Sequence, residues 1–392
     1  MIHVAGGVYF ERCLFPPWNQ LYGSGGRAAA LIAQSGTAPT LHTYLSKPAE
    51  SRFQLIAATY GFDLAATESV ATYGFDYAHP FAAPSIIPNR PTSTQPAIRV
   101  DGEAVLRFGM MEGDAIVNAA TAVYDPQSAV APQTFALNGS EAKRLALVLN
   151  AHEASLLCGN RNMAKVGHDL VRSADVVVIK GGMSGAIVAT KSRSDKVPAY
   201  HAEGAFTIGS GDVFSGVFFY FWATQGYDAF DSANLASLAV ASYVESQALP
   251  PLDKRSLEAP KRSPVQADAG AKVYLAGPFF NLSQRWLVTE ARMALASLGL
   301  EVLSPFHDVG IGDADDVAPK DIEMLRKADK IFAVLEGGDA GTLFEVGYAR
   351  SLGKPVVCYA QTLTDDQLKM YRGTGCTIVN DFAYAVSITA QK

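Results

Sequence analysis

Between Leu249 and Lys272 the chain reads PPLDKRSLEAPKRSPVQADAGA, rich in proline and charge and poor in large apolar side chains. A stretch of this kind has little apolar surface to bury, so it reads as an exposed linker between separately folding parts. The 392 residues leave room for two or three domains of roughly 100–200 residues. The expected division is therefore 1–248, a linker at 249–271, and 272–392.

Both parts alternate short β-rich runs with helical patterns, which predicts α/β layering around a largely parallel sheet. In the first part 176–179 and 186–189 read as apolar strands, and 140–149, 212–224 and 229–247 read as helices. Gly23 to Gly36 reads as a small-residue helix after a glycine turn. In the second part strands fall at 273–276, 301–304, 331–334 and 356–359, with helices near 284–298, 318–328 and 342–352. Region 40–135 is less regular. It holds one repeated hexapeptide, ATYGFD, beginning at Ala58 and again at Ala71, which reads as two similar strand-turn segments. Residues 80–96 are proline-rich and read as irregular.

The second part carries Asp339-Ala-Gly-Thr-Leu-Phe-Glu345-Val-Gly-Tyr-Ala, followed by Gly353-Lys-Pro355. A strand ends near Leu335, a loop carries Asp339, and a helix starting near Thr342 puts Glu345 in its first turn. That is the carboxyl edge of the sheet, where open α/β sheets bind ligands. Thr342-x-x-Glu345 is also a capping box, in which the glutamate would only satisfy a backbone N–H. Against that stands the company it keeps: Asp339 precedes it closely and Asp321 opens another helix. Grouped carboxylates are costly unless a ligand, proton or cation uses them.

With Val273-Tyr-Leu-Ala-Gly-Pro-Phe-Phe280, Ser304-Pro305, and Asp321 ahead of Leu325-Arg-Lys-Ala-Asp329, these pieces resemble, in order and spacing, the nucleoside 2-deoxyribosyltransferase family. The resemblance implies a flavodoxin-like parallel-sheet domain, a homo-oligomer, and small-molecule nucleoside or nucleotide substrates with no cofactor. It makes Glu345 the nucleophile at C1′ of the deoxyribose. Asp339 would protonate or orient the departing base, and Asp321 would hold the sugar hydroxyls. Gly277, Phe279 and Phe280 would form a turn and an aromatic wall for the base, although both phenylalanines read equally well as core. Close relatives include hydrolases of deoxynucleoside 5′-monophosphates, so transfer and hydrolysis both remain open.

In the first part, Gly209-Ser210-Gly211-Asp212 opens an apolar helix. Such a turn aims backbone N–H groups and the helix dipole at an anion, and an aspartate there can take a proton from a hydroxyl. The alternative is a plain glycine turn with Asp212 as cap. Asn150-Ala-His-Glu153 can organise magnesium through water, and Lys180-Gly-Gly-Met-Ser-Gly185 is a glycine turn between strands. Together with the glycine turn at Gly23, these resemble the ribokinase-like (PfkB) kinases of sugars and nucleosides, which have a three-layer fold. The resemblance implies ATP and Mg²⁺, with Asp212 as base, Gly209, Ser210 and Gly211 as anion hole, and Asn150 and Glu153 as the magnesium-organising pair. Glu11 lies where the family often has a sugar-binding aspartate. There are departures: Phe206 replaces the usual aspartate ahead of the glycines, Arg27 takes the usual asparagine position, and the middle segment is short for a full lid. The Asp321, Asp339 and Glu345 set argues against a non-catalytic nucleotide-binding regulator, which leaves two readings. Either the chain is a bifunctional kinase and deoxyribosyltransferase, or it is an N-glycosidase whose kinase-like half only binds or senses a nucleotide.

Bulk features exclude other classes. The chain is 49% hydrophobic, 18% charged and −6 in net charge, without a lysine- and arginine-rich block, so no nucleic-acid footprint is expected. Its most apolar stretch, 213–223, is too short to span a bilayer. The four cysteines form no C-x-x-C pair, and MIHVAGGVYFERC does not read as a signal peptide. A cytoplasmic protein with reduced thiols is expected.

Overall fold

The computed structural model describes residues 1–89 and 94–392. They form two compact units. The first comprises 1–78, 83–202 and 206–265; the second comprises 79–82, 203–205 and 266–392.

In the first unit the main sheet has nine strands. Their spatial order is Ser194–Val197, Ala186–Thr190, Val176–Lys180, Glu141–Asn150, Ala115–Asp125, Ile98–Phe108, Ile2–Ala5, Thr40–Leu45 and Asp63–Glu68. The two antiparallel pairings lie at one edge, among the first three of these strands; the others are parallel. Side chains alternate across a strand, and here both faces are buried. Ala146, Val148, Val176 and Val178 join one core, whereas Leu147, Leu149, Val177 and Ile179 join another. Helices Gly23–Ala33, Ser210–Phe219 and Ala229–Ser246 cover the first face; Ala151–Cys158 and Met163–Leu170 contribute to the second. The unit is a ribokinase-like three-layer α/β fold.

Three expectations fail here. Residues 140–149 are strand, not helix. Their sequence, EAKRLALVL, favours helix locally, but a strand buried on both faces is continuously apolar and cannot be told from a buried helix by pattern. The first ATYGFD copy ends helix Lys47–Tyr60, with Gly61 in the left-handed region (φ 81°), whereas the second leads into strand Gly74–Tyr77. The segment 249–265 is not an exposed linker: it carries helix Lys254–Glu258 and buries Leu252 and Leu257 in the first core. A second sheet, of strands Trp18–Leu21, Phe10–Cys13, Gly74–Tyr77 and Ser85–Ile87, supplies the lid that the middle segment looked too short to make. It is assembled from two separate stretches. Part of the expected irregular region, 90–93, lies outside the described residues.

The second unit has five parallel strands in the spatial order Glu301–Leu303, Lys272–Ala276, Lys330–Val334, Val356–Tyr359, Thr377–Val379. Numbered along the chain this is 2-1-3-4-5, the flavodoxin-like order, with its switch point between the first and third strands. Helices Leu282–Ser297, Ala314–Lys327, Ala340–Ser351, Asp365–Gly373 and Phe382–Thr389 join them. Among the described residues no helix is long and apolar enough to cross a membrane.

Candidate active sites

In the second unit the chain leaves strand Lys272–Ala276 at Gly277 and strand Lys330–Val334 toward Asp339, the two sides of the switch point. A cavity of about 180 Å³ lies there, lined by Glu345, Asp321, Asp339, Gly277, Phe279 and Phe280 among others. All six residues expected from sequence thus meet in one place.

Helix Ala340–Ser351 begins earlier than expected because Asp339, not a residue near Thr342, is its N-cap. One Asp339 oxygen, Oδ2, accepts from the Thr342 backbone N–H (2.6 Å) and from its hydroxyl (2.8 Å). Glu345 therefore sits in the second turn, and the capping-box reading lapses. Its partner is Tyr274, whose hydroxyl donates to Oε1 at 2.5 Å. Burial pushes the Glu345 carboxyl up to about 7; Tyr274 opposes that, and Asp321 and Asp339 add to it. Asp321 is also raised, by burial, with Lys320 opposing, and its Oδ1 is buried without a hydrogen-bond partner. Its helix starts at Ala314, a turn before the expected point; Pro319, favoured at a first helical position, instead lies inside the helix.

Phe279 and Phe280 are not core. Phe280 is 69% exposed, and Phe279 stacks on Phe280 (5.6 Å between centroids) and on Phe306 (5.2 Å) to make an aromatic wall. A Cβ on Gly277 would lie 3.0 Å from Val334 Cβ and 3.2 Å from Val288 Cγ2, so a side chain here would press on both valines. Tyr274 was missed because a tyrosine in a buried strand reads as core.

In the first unit a cavity of about 910 Å³ is lined by Glu11, Phe75 and Tyr77 of the lid sheet region and by Gly209, Gly211 and Asp212 of the core. Asp212 and Glu11 share one partner. Arg27, 0% exposed, donates through Nη1 to Asp212 Oδ2 (2.7 Å) and to Glu11 Oε1 (2.9 Å), and through Nη2 to Glu11 Oε2. Gln127 donates to Asp212 Oδ1 at 2.6 Å. Burial raises the Asp212 carboxyl, Arg27 opposes it, and Glu11 reinforces it. The anion hole is altered too. A Cβ on Gly209 (φ 77°) would lie 2.1 Å from Arg27 Cζ, and the Ser210 and Asp212 N–H groups donate to Thr207 and Gly209 carbonyls.

Asn150 and Glu153 form a capping box. Asn150 Oδ1 accepts from the Glu153 N–H, while the two Glu153 oxygens accept from the N–H groups of Asn150 and Ser128, all at 2.9 Å. Each Glu153 oxygen thus already accepts one backbone N–H. Among the described residues no group of three or more His, Cys, Asp or Glu converges to hold a metal ion. Gln127 carried no sequence signal at all.

The two folds define a ribokinase-like unit and a flavodoxin-like unit in one chain. The chain joins a PfkB-family segment to a nucleoside 2-deoxyribosyltransferase-family segment: residues 128–251 match the model for pfkB family carbohydrate kinases, and 273–382 match that for nucleoside 2-deoxyribosyltransferases. Both models describe enzymes. No curated protein sequence matches. Among solved structures, a Vibrio cholerae fructokinase with fructose, ADP and calcium bound is similar at 14% identity and TM-score 0.50, over 66% of this chain and 97% of its own. A Thermotoga maritima ribokinase (15%, TM-score 0.49, 66% and 98%) and a Methanocaldococcus jannaschii nucleoside kinase (15%, 0.48, 66% and 98%) are also similar.

Proposed function

We propose that the second unit breaks the N-glycosidic bond of a 2′-deoxynucleoside or its 5′-monophosphate, with Glu345 as nucleophile. The observation that carries this is Glu345 lining a cavity at the switch point, bonded to Tyr274 and accompanied there by Asp321 and Asp339. The ionised carboxylate attacks C1′ as the bond to the base breaks, through an oxocarbenium-like state that a nearby negative charge stabilises. Asp339 delivers a proton to the departing base, and Asp321 accepts from a sugar hydroxyl. A second base or water then attacks C1′ and releases Glu345, so the two displacements retain configuration. A free base as acceptor gives transfer; water gives hydrolysis.

For the first unit, the kinase reading requires ATP and Mg²⁺ beside a free Asp212. The Arg27 pairing favours the second reading, a kinase-like fold that only binds or senses a nucleotide. A homo-oligomer belongs to the proposal through the family of the second unit.

The test is incubation with a deoxynucleoside, with and without a second free base, read by mass spectrometry. Base exchange or free deoxyribose is expected from the wild type, and neither from Glu345→Ala. Since Glu345 caps nothing, that variant should keep its fold. Undiminished turnover by folded Glu345→Ala contradicts the assignment.

A further inference from the structure

Strand Glu301–Leu303 of the second unit runs into Ser304 and the turn Pro305–Val309. Pro305 and Phe306 line the cavity beside Glu345, whereas His307 does not. Its imidazole packs instead edge-on against the Phe306 ring (4.7 Å between centroids, 69°). Both of its nitrogens are engaged. Nδ1 lies 2.8 Å from the hydroxyl of Ser304, which is 0% exposed, and Nε2 lies 3.2 Å from the Thr289 hydroxyl on helix Leu282–Ser297. Asp308 braces the same turn: its Oδ2 accepts from the Ser304 N–H (2.8 Å), and its Oδ1 pairs with Arg292 of that helix (3.1 Å).

Thr289 determines the direction of these bonds. It donates its single hydroxyl hydrogen to the Arg285 carbonyl (2.7 Å), which can only accept. Toward His307 the Thr289 oxygen must therefore accept, and that puts the ring's hydrogen on Nε2. A neutral imidazole then offers a lone pair at Nδ1, to which Ser304 donates. The hydrogen bonds run one way, from Ser304 through His307 and Thr289 to the Arg285 carbonyl. A second hydrogen, on Nδ1, would point at the Ser304 hydroxyl and take away its acceptor. Burial and the Arg292 guanidinium hold the imidazole's proton affinity below the usual histidine range, with Asp308 opposing, so the neutral ring is favoured.

The imidazole joins the two segments that build the aromatic wall. Phe279 and Phe306 stack at 5.2 Å from separate parts of the chain. Helix Leu282–Ser297 follows closely on Phe279, and its Arg285 ties back to both rings: Nε donates to the Phe279 carbonyl (2.8 Å), and the guanidinium lies over Phe306 (5.7 Å). We infer that His307 is a positioning residue: a neutral ring of one tautomer that ties the turn bearing Phe306 to the helix following Phe279, and so sets the wall against which the ligand's base stacks. Affinity for the base depends on His307 through Phe306, without contact between His307 and the base. That the ligand is a deoxynucleoside rests on the glycosidic reading above; the tautomer and the tie do not.

Two measurements on the full chain test this. The first is a nitrogen–proton correlation spectrum of histidine-labelled protein at neutral pH, with His307→Gln identifying the ring among the seven histidines. The expected result is a neutral ring carrying its hydrogen on Nε2; a protonated ring, or a hydrogen on Nδ1, overturns the inference. The second is equilibrium dialysis with two labelled C-nucleosides, 9-deaza-2′-deoxyadenosine and 2′-deoxypseudouridine, whose carbon–carbon glycosidic bond survives a glycosidase. Wild type is compared with His307→Ala and with His307→Gln, whose amide can still donate to Thr289, and melting curves establish that the variants are folded. Should His307→Ala not fold, Thr289→Val, which removes the acceptor of the Nε2 hydrogen, takes its place with the same expected loss. For at least one probe, one site per chain should weaken about tenfold in His307→Ala, the order of one stacked base's contribution, and recover most of that loss in His307→Gln. Affinity unchanged in His307→Ala, lost equally in His307→Gln, or absent for both probes in the wild type overturns it. Because the probes are not cleaved, the outcome is read separately from whether Glu345 is the nucleophile.

Discussion

As the proposed nucleophile Glu345 has to be ionised to attack C1′, yet burial lifts it to about 7 and only the Tyr274 hydroxyl pulls it back. Activity is therefore expected to rise with pH as Glu345 loses its proton, through a midpoint near 7. Tyr274→Phe removes a hydrogen bond that favours the charged form. Such bonds to charged groups are worth about 1.5–3 kcal/mol, so the midpoint should move up by about one to two units. A pH–rate profile on both proteins checks this; an unmoved midpoint would separate Tyr274 from the nucleophile. The acids of this site were legible because carboxylates grouped at a sheet edge need a purpose. Tyr274 was not, since its ring is an ordinary strand residue until the fold turns its hydroxyl toward the helix. In the first unit the Arg27 departure was visible in the sequence, but its pairing depends on Glu11, on a strand 16 residues before it, and Asp212, on a helix 185 residues after it, meeting at one guanidinium.

Helix Ala340–Ser351 illustrates what an element's boundary decides. With Asp339 as cap, Thr342 is the third helical residue, and Glu345 falls one turn further in, facing strand Lys272–Ala276 rather than its own N-terminus. Asp339 then has an observed job as cap and a proposed one as acid, which substitution can separate. Asp339→Asn keeps a side-chain oxygen for the Thr342 N–H, so stability should change by no more than a few tenths of a kcal/mol, while base release falls. Asp339→Ala should lose both activity and about 0.5–2 kcal/mol. Thermal melts beside initial rates make the comparison; full activity in Asp339→Asn would leave it a cap and no acid. Strands of the second unit were legible because each is a short apolar run closed by turn residues. Strand Glu141–Asn150 was not. Its pairing on both sides, to Ala115–Asp125 and Val176–Lys180, overrides the helix preference of its residues.

At the scale of the whole chain, the proposed glycosidic site lies wholly within the second of two α/β units. Base release by the second should therefore be unchanged by Asp212→Asn, a substitution that weakens the Arg27 cluster in the first. Initial rates at matched folded concentration test this, and a parallel loss of rate would make the first unit part of the glycosidic machinery. The division into two was written in the sequence as a proline- and charge-rich stretch, but that stretch was misread in part. Leu252 and Leu257, spaced among charges, are enough to pin it to the first core. The lid was hidden for a different reason: strands of three and four residues drawn from both ends of a long segment leave no local periodicity to detect.

The account turns on a covalent bond between Glu345 and the sugar. Rapid quenching of the full chain with a deoxynucleoside, followed by peptide mass spectrometry, tests it most directly. The predicted result is one deoxyribosyl group on the peptide containing Glu345, formed as base is released and absent in Glu345→Ala. Base release at full rate with no such adduct, and undiminished in Glu345→Ala, would contradict it.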